Sequence, residues 1–419
     1  ATGKPVVLIL INGRPLSINW ADKFVPAILE AWYPGSKGGT ALADILFGDY
    51  NPGGKLTVTF PKTVGQIPFN FPCKPSSQID GGKNPGPTGN MSRINGALYP
   101  FGYGLSYTTF EYSDFNVTES ADAFNVTLKV TNTGSTYSGK ETVQLYFQSP
   151  YTDYDKANGI EKASAELCGF AKTDILAPGA SETVNITVDK SELRTYDSNN
   201  AKTYIVDAGD YYFTAATDAH NAVNNILAAK GYTVENTNGR MTEDGDASLV
   251  WKWTNDTLDT TTFATSANGT AITNLFDEAD PNKSSSETGD VTWLSRSNWV
   301  ATFPTQPVVL NATQTLADHL AFTRYDGSKA DSVEMPALGA DNGLALVSMI
   351  GADYDDPQWD TLLDQLTFNE MVNTITLGFH NTAAIESIGK TRTKDENGPQ
   401  GLTAALTGGA SAMCYTSED

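Results

Sequence analysis

Residues 31–61, AWYPGSKGGTALADILFGDYNPGGKLTVTFP, are punctuated so tightly that few folds can accept them. Pro34-Gly35-Ser36-Lys37-Gly38-Gly39 spells one turn and Asn51-Pro52-Gly53-Gly54 another. Glycine tolerates positive φ, and proline cannot continue a helix, so regular structure must lie between and after these turns. The spacing predicts a helix over 40–47, with Ala41, Leu42, Ile45 and Leu46 on one apolar face. It predicts a strand over 55–60, in which Leu56, Val58 and Phe60 alternate inward. A second punctuated run, YPFGYGLSYTT at 99–109, follows.

Upstream, residues 4–11 (KPVVLILI) form a continuous apolar run, the pattern of a strand buried on both faces in a parallel sheet. Residues 26–32 read as a helix. Together these make doubly wound α/β material. One strand, two helices and a following strand are too few for a whole doubly wound sheet, so the N-terminal edge is expected to be a cut inside a domain. Residues 66–96, rich in Gly, Pro, Ser and Asn, read as a long irregular loop. The run 97–108 is expected to close the sheet as a strand.

From Phe110 the pattern becomes pure β. Phe124, Val126, Leu128 and Val130 alternate, as do Val143, Leu145 and Phe147, and strand-like runs recur at 166–173, 182–188 and 209–217. Strands at this spacing without intervening helices indicate a β-sandwich. Residues 233–345 are polar, yet Trp251, Trp253, Trp293 and Trp299 argue for folded structure, either an extra all-β region or a wrapping linker. Over 356–377, Trp359, Leu362, Leu363, Leu366, Met371, Val372 and Ile375 fall at helical spacing. Thr367-Phe368-Asn369-Glu370 has the form of a capping box, at which that helix breaks and restarts.

With 419 residues the chain has room for two or three domains. Its 49 acidic and 27 basic residues give a formal charge of -22, which argues against nucleic acid as a partner and suits a neutral substrate. No apolar run approaches the ~20 residues of a membrane span. No leader opens the sequence, which starts at Ala1. Sequons such as those at Asn116, Asn125, Asn185 and Asn268 lean weakly toward an extracellular or cell-surface location, with the cytoplasm left open. Cys73, Cys168 and Cys414 form no metal spacing and no disulfide framework.

Other motifs fail. The run from Gly48 to Gly53 continues as Gly-Lys-Leu, which breaks the P-loop pattern. Gly104-Leu105-Ser106-Tyr107-Thr108 lacks the final glycine of a nucleophile elbow. Asp353, Asp355, Asp356 and Asp360 lack the glycine and distal glutamate of an EF-hand, and suit a helix N-terminus better. His220, His319 and His380 stand alone.

The runs at 31–61 and 99–109, with Arg14 in ILINGRPL, resemble the second half of the α/β-sandwich domain of glycoside hydrolase family 3, the β-glucosidase and β-xylosidase family. The resemblance extends over about residues 4–227. VTNTGSTYSGKETVQLYF and ELCGFAKTDILAPGASETV resemble the fibronectin type III-like domain that follows it in many members. LLDQLTFNEMVNTITLG resembles the opening helix of the family's (β/α)8 barrel, and KDENGPQGL the DGPxG loop after the barrel's first strand. The implied fold is mixed α/β and all-β: part of an α/β sandwich over 1–109, a fibronectin type III-like β-sandwich over 110–228, a linker or β-rich region over 229–350, and the opening segment of a (β/α)8 barrel over 351–419. That order resembles the permuted subgroup of the family, with cuts inside domains at both ends.

The resemblance implies a retaining β-glycosidase, a β-glucosidase first, needing no metal or organic cofactor. Such enzymes use two carboxyl groups ~5–5.5 Å apart. The family's nucleophile lies on a late barrel strand, and its acid/base ahead of the strand matching KPVVLILI, so both catalytic carboxylates are expected outside this chain. The implied partners are a β-linked oligosaccharide or glucoside, and the remaining barrel portion, in the same enzyme or a second chain. The DGPxG carboxylate of the family binds sugar hydroxyls. Asn397 stands at that position here, and Asp395 or Glu396 supplies the carboxylate if the loop is longer. The competing reading is a plain Asn-Gly-Pro turn. Trp32, beside the Gly-rich turn, is either a sugar-stacking contact or a packing residue. The rival to an enzyme is a non-catalytic carbohydrate-binding or interaction module.

Overall fold

The computed structural model describes residues 3–67, 71–72, 96–237, 239–284, 291–302, 311–321, 336–378, 381–394, 402–404 and 409–413. The chain divides into two compact units, residues 1–32 with 42–320 and residues 33–41 with 321–419.

The first unit opens with β1 (Val7–Leu10), α1 (Asn19–Phe24) and β2 (Ala27–Glu30). The helix expected over 26–32 is instead β2. Proline disfavours the α region for the residue before it, so Pro26 ends α1, and Val25 is extended at ψ 122°. The four residues AILE then pair in parallel with VLIL, from Val7 opposite Ala27 to Leu10 opposite Glu30. So short a run has no period with which to choose between helix and strand. β1 itself is only half-buried, with Val7 44% exposed, because its sheet has two strands among the described residues. The next helix, α2 (Gly38–Phe47), forms where the spacing placed it.

The strands expected over 55–60 and 97–108 are replaced by two irregular segments running antiparallel. Leu56 N–H donates to Tyr103 O and Gly102 N–H to Leu56 O, both at 2.8 Å. Phe60 and Tyr99 form a single bridge. Pro100 offers no N–H and Gly102 sits at φ +84°, so the ladder cannot continue.

The β-sandwich follows. One sheet is β3 (Phe110–Glu119), β4 (Ala123–Asn132) and β7 (Ser181–Asp189). The other is, in order across the sheet, β11 (Val250–Asn255), β10 (Gly209–Ala216), β5 (Thr142–Gln148) and β6 (Glu166–Lys172). The short strands β8 (Thr195–Asp197) and β9 (Thr203–Ile205) pair with each other. The alternating residues face one core of Phe124, Val126, Leu128, Val130, Val143, Leu145, Phe147 and Phe213. β11 was not foreseen in the polar stretch, yet its Trp251 and Trp253 pack on the fully buried Phe124 with centroids 5.7 and 5.3 Å away. Helix α4 (Ala219–Ala229) follows β10, and Asp218 caps it by accepting from His220 N–H and Asn221 N–H; the helix α3 (Asp153–Ala157) precedes β6.

In the second unit α5 (Gln358–Leu363) and α6 (Phe368–Thr376) are separate helices. The capping box is present: the Thr367 side chain accepts from Glu370 N–H, and the Glu370 side chain accepts from Thr367 N–H. Met349, Leu362, Leu366, Ile385 and Ile388 form its core. Asp356 Oδ1 accepts from Gln358 N–H at 2.9 Å, consistent with a helix-start role for that acidic run.

Two features of the first unit yield tests. A Cβ on Gly102 would lie 2.0 Å from Gln144 Oε1, and its φ is unfavourable for any other residue. Gly102→Ala is therefore expected to cost about 2–3 kcal/mol, read from urea unfolding; an unchanged midpoint would sink this account of the segment around Gly102. Inside the sandwich, Lys162 Nζ lies 2.5 Å from Asp207 Oδ2 and 3.5 Å from Asp155 Oδ1, and all three residues are nearly inaccessible. Lys162 also donates to Thr195 Oγ1 at 2.7 Å, and the Tyr211 hydroxyl donates to Asp207 O. Burial, and then the Asp155 carboxyl, hold Asp207 above the usual carboxylate range against the pull of Lys162. A raised folded value means that the stabilisation is complete below the unfolded value of ~3.9 and is lost as pH climbs through the folded one. Asp207→Asn leaves Lys162 paired with Asp155 and removes this titration. Its stability relative to the parent should rise as pH climbs above about 4, until Asp207 itself ionises in the folded parent; a flat difference curve would show that Asp207 is not raised.

Candidate functional site

Parallel strands place ligand sites beyond their carboxyl ends, and β1 and β2 end side by side. Beyond β1 come Asn12 and Arg14; β2 ends at Glu30, two residues before Trp32. The Glu30 carboxylate organises this end. Asn12 Nδ2 donates to Oε1 at 3.2 Å and Oε2 at 3.1 Å, and Trp32 N–H donates to Oε1 at 3.0 Å. Asn12 Oδ1 in turn accepts from Arg14 N–H at 3.3 Å.

These bonds hold Trp32 at φ 49°, a conformation a tryptophan rarely adopts unaided. Its ring packs at an angle on the buried Phe60, with centroids 6.1 Å apart. Trp32 is half-buried and Arg14 exposed, so one aromatic and one cationic side chain share the strand ends. Sequence reasoning singled out both but missed Glu30 and Asn12. The signal for Glu30 was its place at the end of AILE, hidden while that segment read as a helix. In the Gly-rich turn, a Cβ on Gly38 would meet Pro34 Cγ at 2.7 Å, so that glycine is required for the close turn.

The loop residues Asp395, Glu396 and Asn397 lie outside the described residues, as do Cys73 and Cys414. Among the described residues no three of His, Cys, Asp and Glu come together as metal ligands. Burial lowers the pKa of His220, whose Nε2 lies 2.8 Å from Thr242 Oγ1. Burial pushes the Cys168 thiol up, and its Sγ lies 3.4 Å from Leu145 O. Neither residue adjoins the strand ends in sequence or through these bonds.

If Glu30 anchors the site, Glu30→Gln should free it, because the new amide nitrogen confronts the donors of Asn12 and Trp32. The Trp32 amide should exchange with solvent about tenfold faster, a loss of about 1.4 kcal/mol in local stability; unchanged exchange would remove Glu30 from the role.

Residues 1–107 match the glycosyl hydrolase family 3 C-terminal domain, and residues 141–219 the fibronectin type III-like domain. The chain is 40% identical over 230 residues to a periplasmic beta-glucosidase of Salmonella typhimurium, covering 52% of this chain and 28% of that protein. It is 40% identical over 214 residues to a beta-xylosidase of Formosa agariphila, covering 50% of this chain and 28% of that protein. Among solved structures it is similar to beta-glucosidase 3B from Thermotoga neapolitana in complex with alpha-D-glucose, at 32% identity and a TM-score of 0.42, covering 52% of this chain and 30% of that one. The chain thus spans less than a third of the length of these relatives. No helix among the described residues is long and apolar enough to cross a membrane. Over residues 1–107 the chain thus carries a glycosyl hydrolase family 3 C-terminal domain, followed over residues 141–219 by a fibronectin type III-like domain.

Proposed function

We propose that the chain is part of a retaining β-glucosidase that releases terminal β-linked glucose from oligosaccharides. The observation that carries this reading is the 40% identity to a beta-glucosidase over 230 residues, beside the matches to the two domain families. The chain supplies the scaffold and one substrate-binding loop, with Asp395, Glu396 and Asn397 on sugar hydroxyls and Trp32 as an aromatic contact. Residues 351–419 form the opening of the (β/α)8 barrel after the α/β, sandwich and connecting segments that end near residues 109, 228 and 350. The capped helix α6 supports this barrel assignment.

The nucleophile and the acid/base come from sequence outside this chain, in the remaining barrel portion or a second polypeptide. A retaining pair must flank a solvent-accessible bond at ~5–5.5 Å. The carboxylates Asp155 and Asp207 are shut away around Lys162 and do not offer that. The enzyme works outside the cytoplasm, a reading supported by the relative named periplasmic.

Hydrolysis of 4-nitrophenyl β-D-glucopyranoside tests the proposal. The chain alone should not turn over the glucoside, and the chain combined with its barrel portion should. In that active combination, Asp395→Ala, Glu396→Ala or Asn397→Ala should raise KM at least tenfold more than it lowers kcat. A folded combination without activity would end the enzyme reading.

A further inference from the structure

An open cleft of about 260 Å³ lies where the segment after Gly104 meets the loop between β4 and β5. One wall is the tilted pair Tyr107 and Tyr137, 44% and 46% exposed, packed on each other with ring centroids 6.0 Å apart and planes at 56°. Each tyrosine is tied to the scaffold by its own hydrogen bonds. The Tyr107 hydroxyl donates to Ile45 O at 2.8 Å, and its backbone N–H donates to Asn51 Oδ1 at 2.8 Å. Tyr137 O accepts from Asn132 Nδ2 at 2.9 Å. The cleft floor is equally constrained, since the buried Asn132 accepts from both Thr108 Oγ1 at 2.6 Å and Gly134 N–H at 3.1 Å. A Cβ on Gly134 would fall 2.1 Å from Thr108 Oγ1. The Tyr107 ring and the Tyr137 backbone are thus positioned without a ligand to order them, which lowers the entropic cost of binding.

The remaining lining is hydroxyl: Ser106, Thr109, Ser135 and Thr136 join the two tyrosines, and no charged side chain lines the cleft. Ser106 Oγ donates to Asn51 Oδ1 at 3.0 Å, which leaves its oxygen able to accept from a ligand. Exposed ring faces beside neutral donor-acceptor groups match a ligand that presents C–H faces and hydroxyls together. The absence of charge in the lining and the chain's net charge of -22 both disfavour an anion. The volume is just below the ~300 Å³ at which pockets for drug-sized ligands begin, so it suits one or two small rings.

We propose that this cleft binds a neutral sugar ring against the exposed faces of the Tyr107–Tyr137 pair, at a site separate from the strand ends of β1 and β2. The proposal stands on the cleft's own chemistry and does not depend on the catalytic reading above. Because the cleft is open, binding is weak, in the millimolar range, and serves to hold a polymeric or oligomeric substrate near the protein.

Saturation-transfer NMR on the full chain with cellobiose, xylobiose and laminaribiose tests it, with digalacturonate as the charged control. At least one neutral disaccharide should bind, and digalacturonate should not. Tyr137→Ala should weaken that binding at least tenfold, and Tyr137→Phe, which keeps the ring, less than threefold; circular dichroism checks that both variants stay folded. No neutral disaccharide bound at 50 mM, or binding that Tyr137→Ala leaves unchanged, overturns the proposal. Binding lost in Asn397→Ala but not in Tyr137→Ala also overturns it, while leaving the catalytic reading intact. Tyr137-dependent binding in a protein that hydrolyses no glycoside sustains the site and fails the catalytic reading instead.

Discussion

Buried side-chain amides hold this fold together where its secondary structure runs out. Gln144, 4% exposed on β5, donates to Gly102 O at 3.0 Å and to Thr217 O at 2.7 Å, and accepts from the Tyr146 hydroxyl at 2.6 Å. Asn132, fully buried at the end of β4, donates to Tyr137 O and Leu176 O and accepts from Thr108 and Gly134. Gln66 and Gln365 do the same work elsewhere, the latter clamping Leu344 and Ser387. An irregular segment cannot satisfy its own backbone groups, so each must find a partner or stay wet. An amide supplies a donor and an acceptor on one side chain without bringing charge into the interior. Each bond nets only ~1 kcal/mol, but an orphaned partner costs ~1–3 kcal/mol. The penalty for losing the amide exceeds its gain, which makes these four positions specify loop geometry more than they add stability.

That division explains what could be read from the sequence. The sandwich strands were legible because residues such as Phe124, Val126, Leu128 and Val130 alternate over long stretches, and both neighbours of β4 satisfy the same pattern. The box at Thr367 and Glu370 was legible because it is a local device. β2 was not, because three apolar residues and a glutamate after Pro26 fit either a helix or a strand, and the decision comes from a partner twenty residues away. Segments 55–60 and 97–108 alternate correctly, yet their ladder is broken by Pro100 and Gly102 and completed through Gln144, a residue of another element. β11 escaped because its two tryptophans sit in polar sequence, and only packing on Phe124 reveals their role. Of the candidate site, Trp32 and Arg14 stood out by type and motif. Glu30 and Asn12, which position Trp32, did not, since a lone carboxylate among 49 acidic residues carries no mark.

The acidity of the chain has a structural use of the same kind. Asp259, despite partial burial, is held at about 2 by the hydroxyls and N–H groups of Thr262 and Thr261. Ser387 N–H, and then Thr367, hold Glu370 at about 2. Burial opposes the ionised form of Asp197, but the Tyr154 hydroxyl and three successive backbone N–H groups prevail and lower it. These carboxylates anchor turns and helix starts, where several N–H and O–H donors converge on one charge and outweigh what burial costs it. Abundant Asp and Glu in a loop-rich chain therefore describe its turns before they describe its chemistry.

Asp155 and Asp207 mark the limit of reading function from perturbed carboxylates. Two apposed acids, one held above its ordinary value, form the pattern by which catalytic dyads are sought. Here Lys162 lies between them, neither is accessible, and their other contacts are a capping Thr152 and the backbone of the same domain. A glycosidic bond needs an approach from solvent on at least one side of its acid. Accessibility, more than the size or direction of a pKa shift, separates a pair that can act on a substrate from one that stabilises a sandwich. By that criterion the acids around Lys162 are structural, whereas Tyr107 and Tyr137, 44% and 46% exposed, remain in reach of solvent.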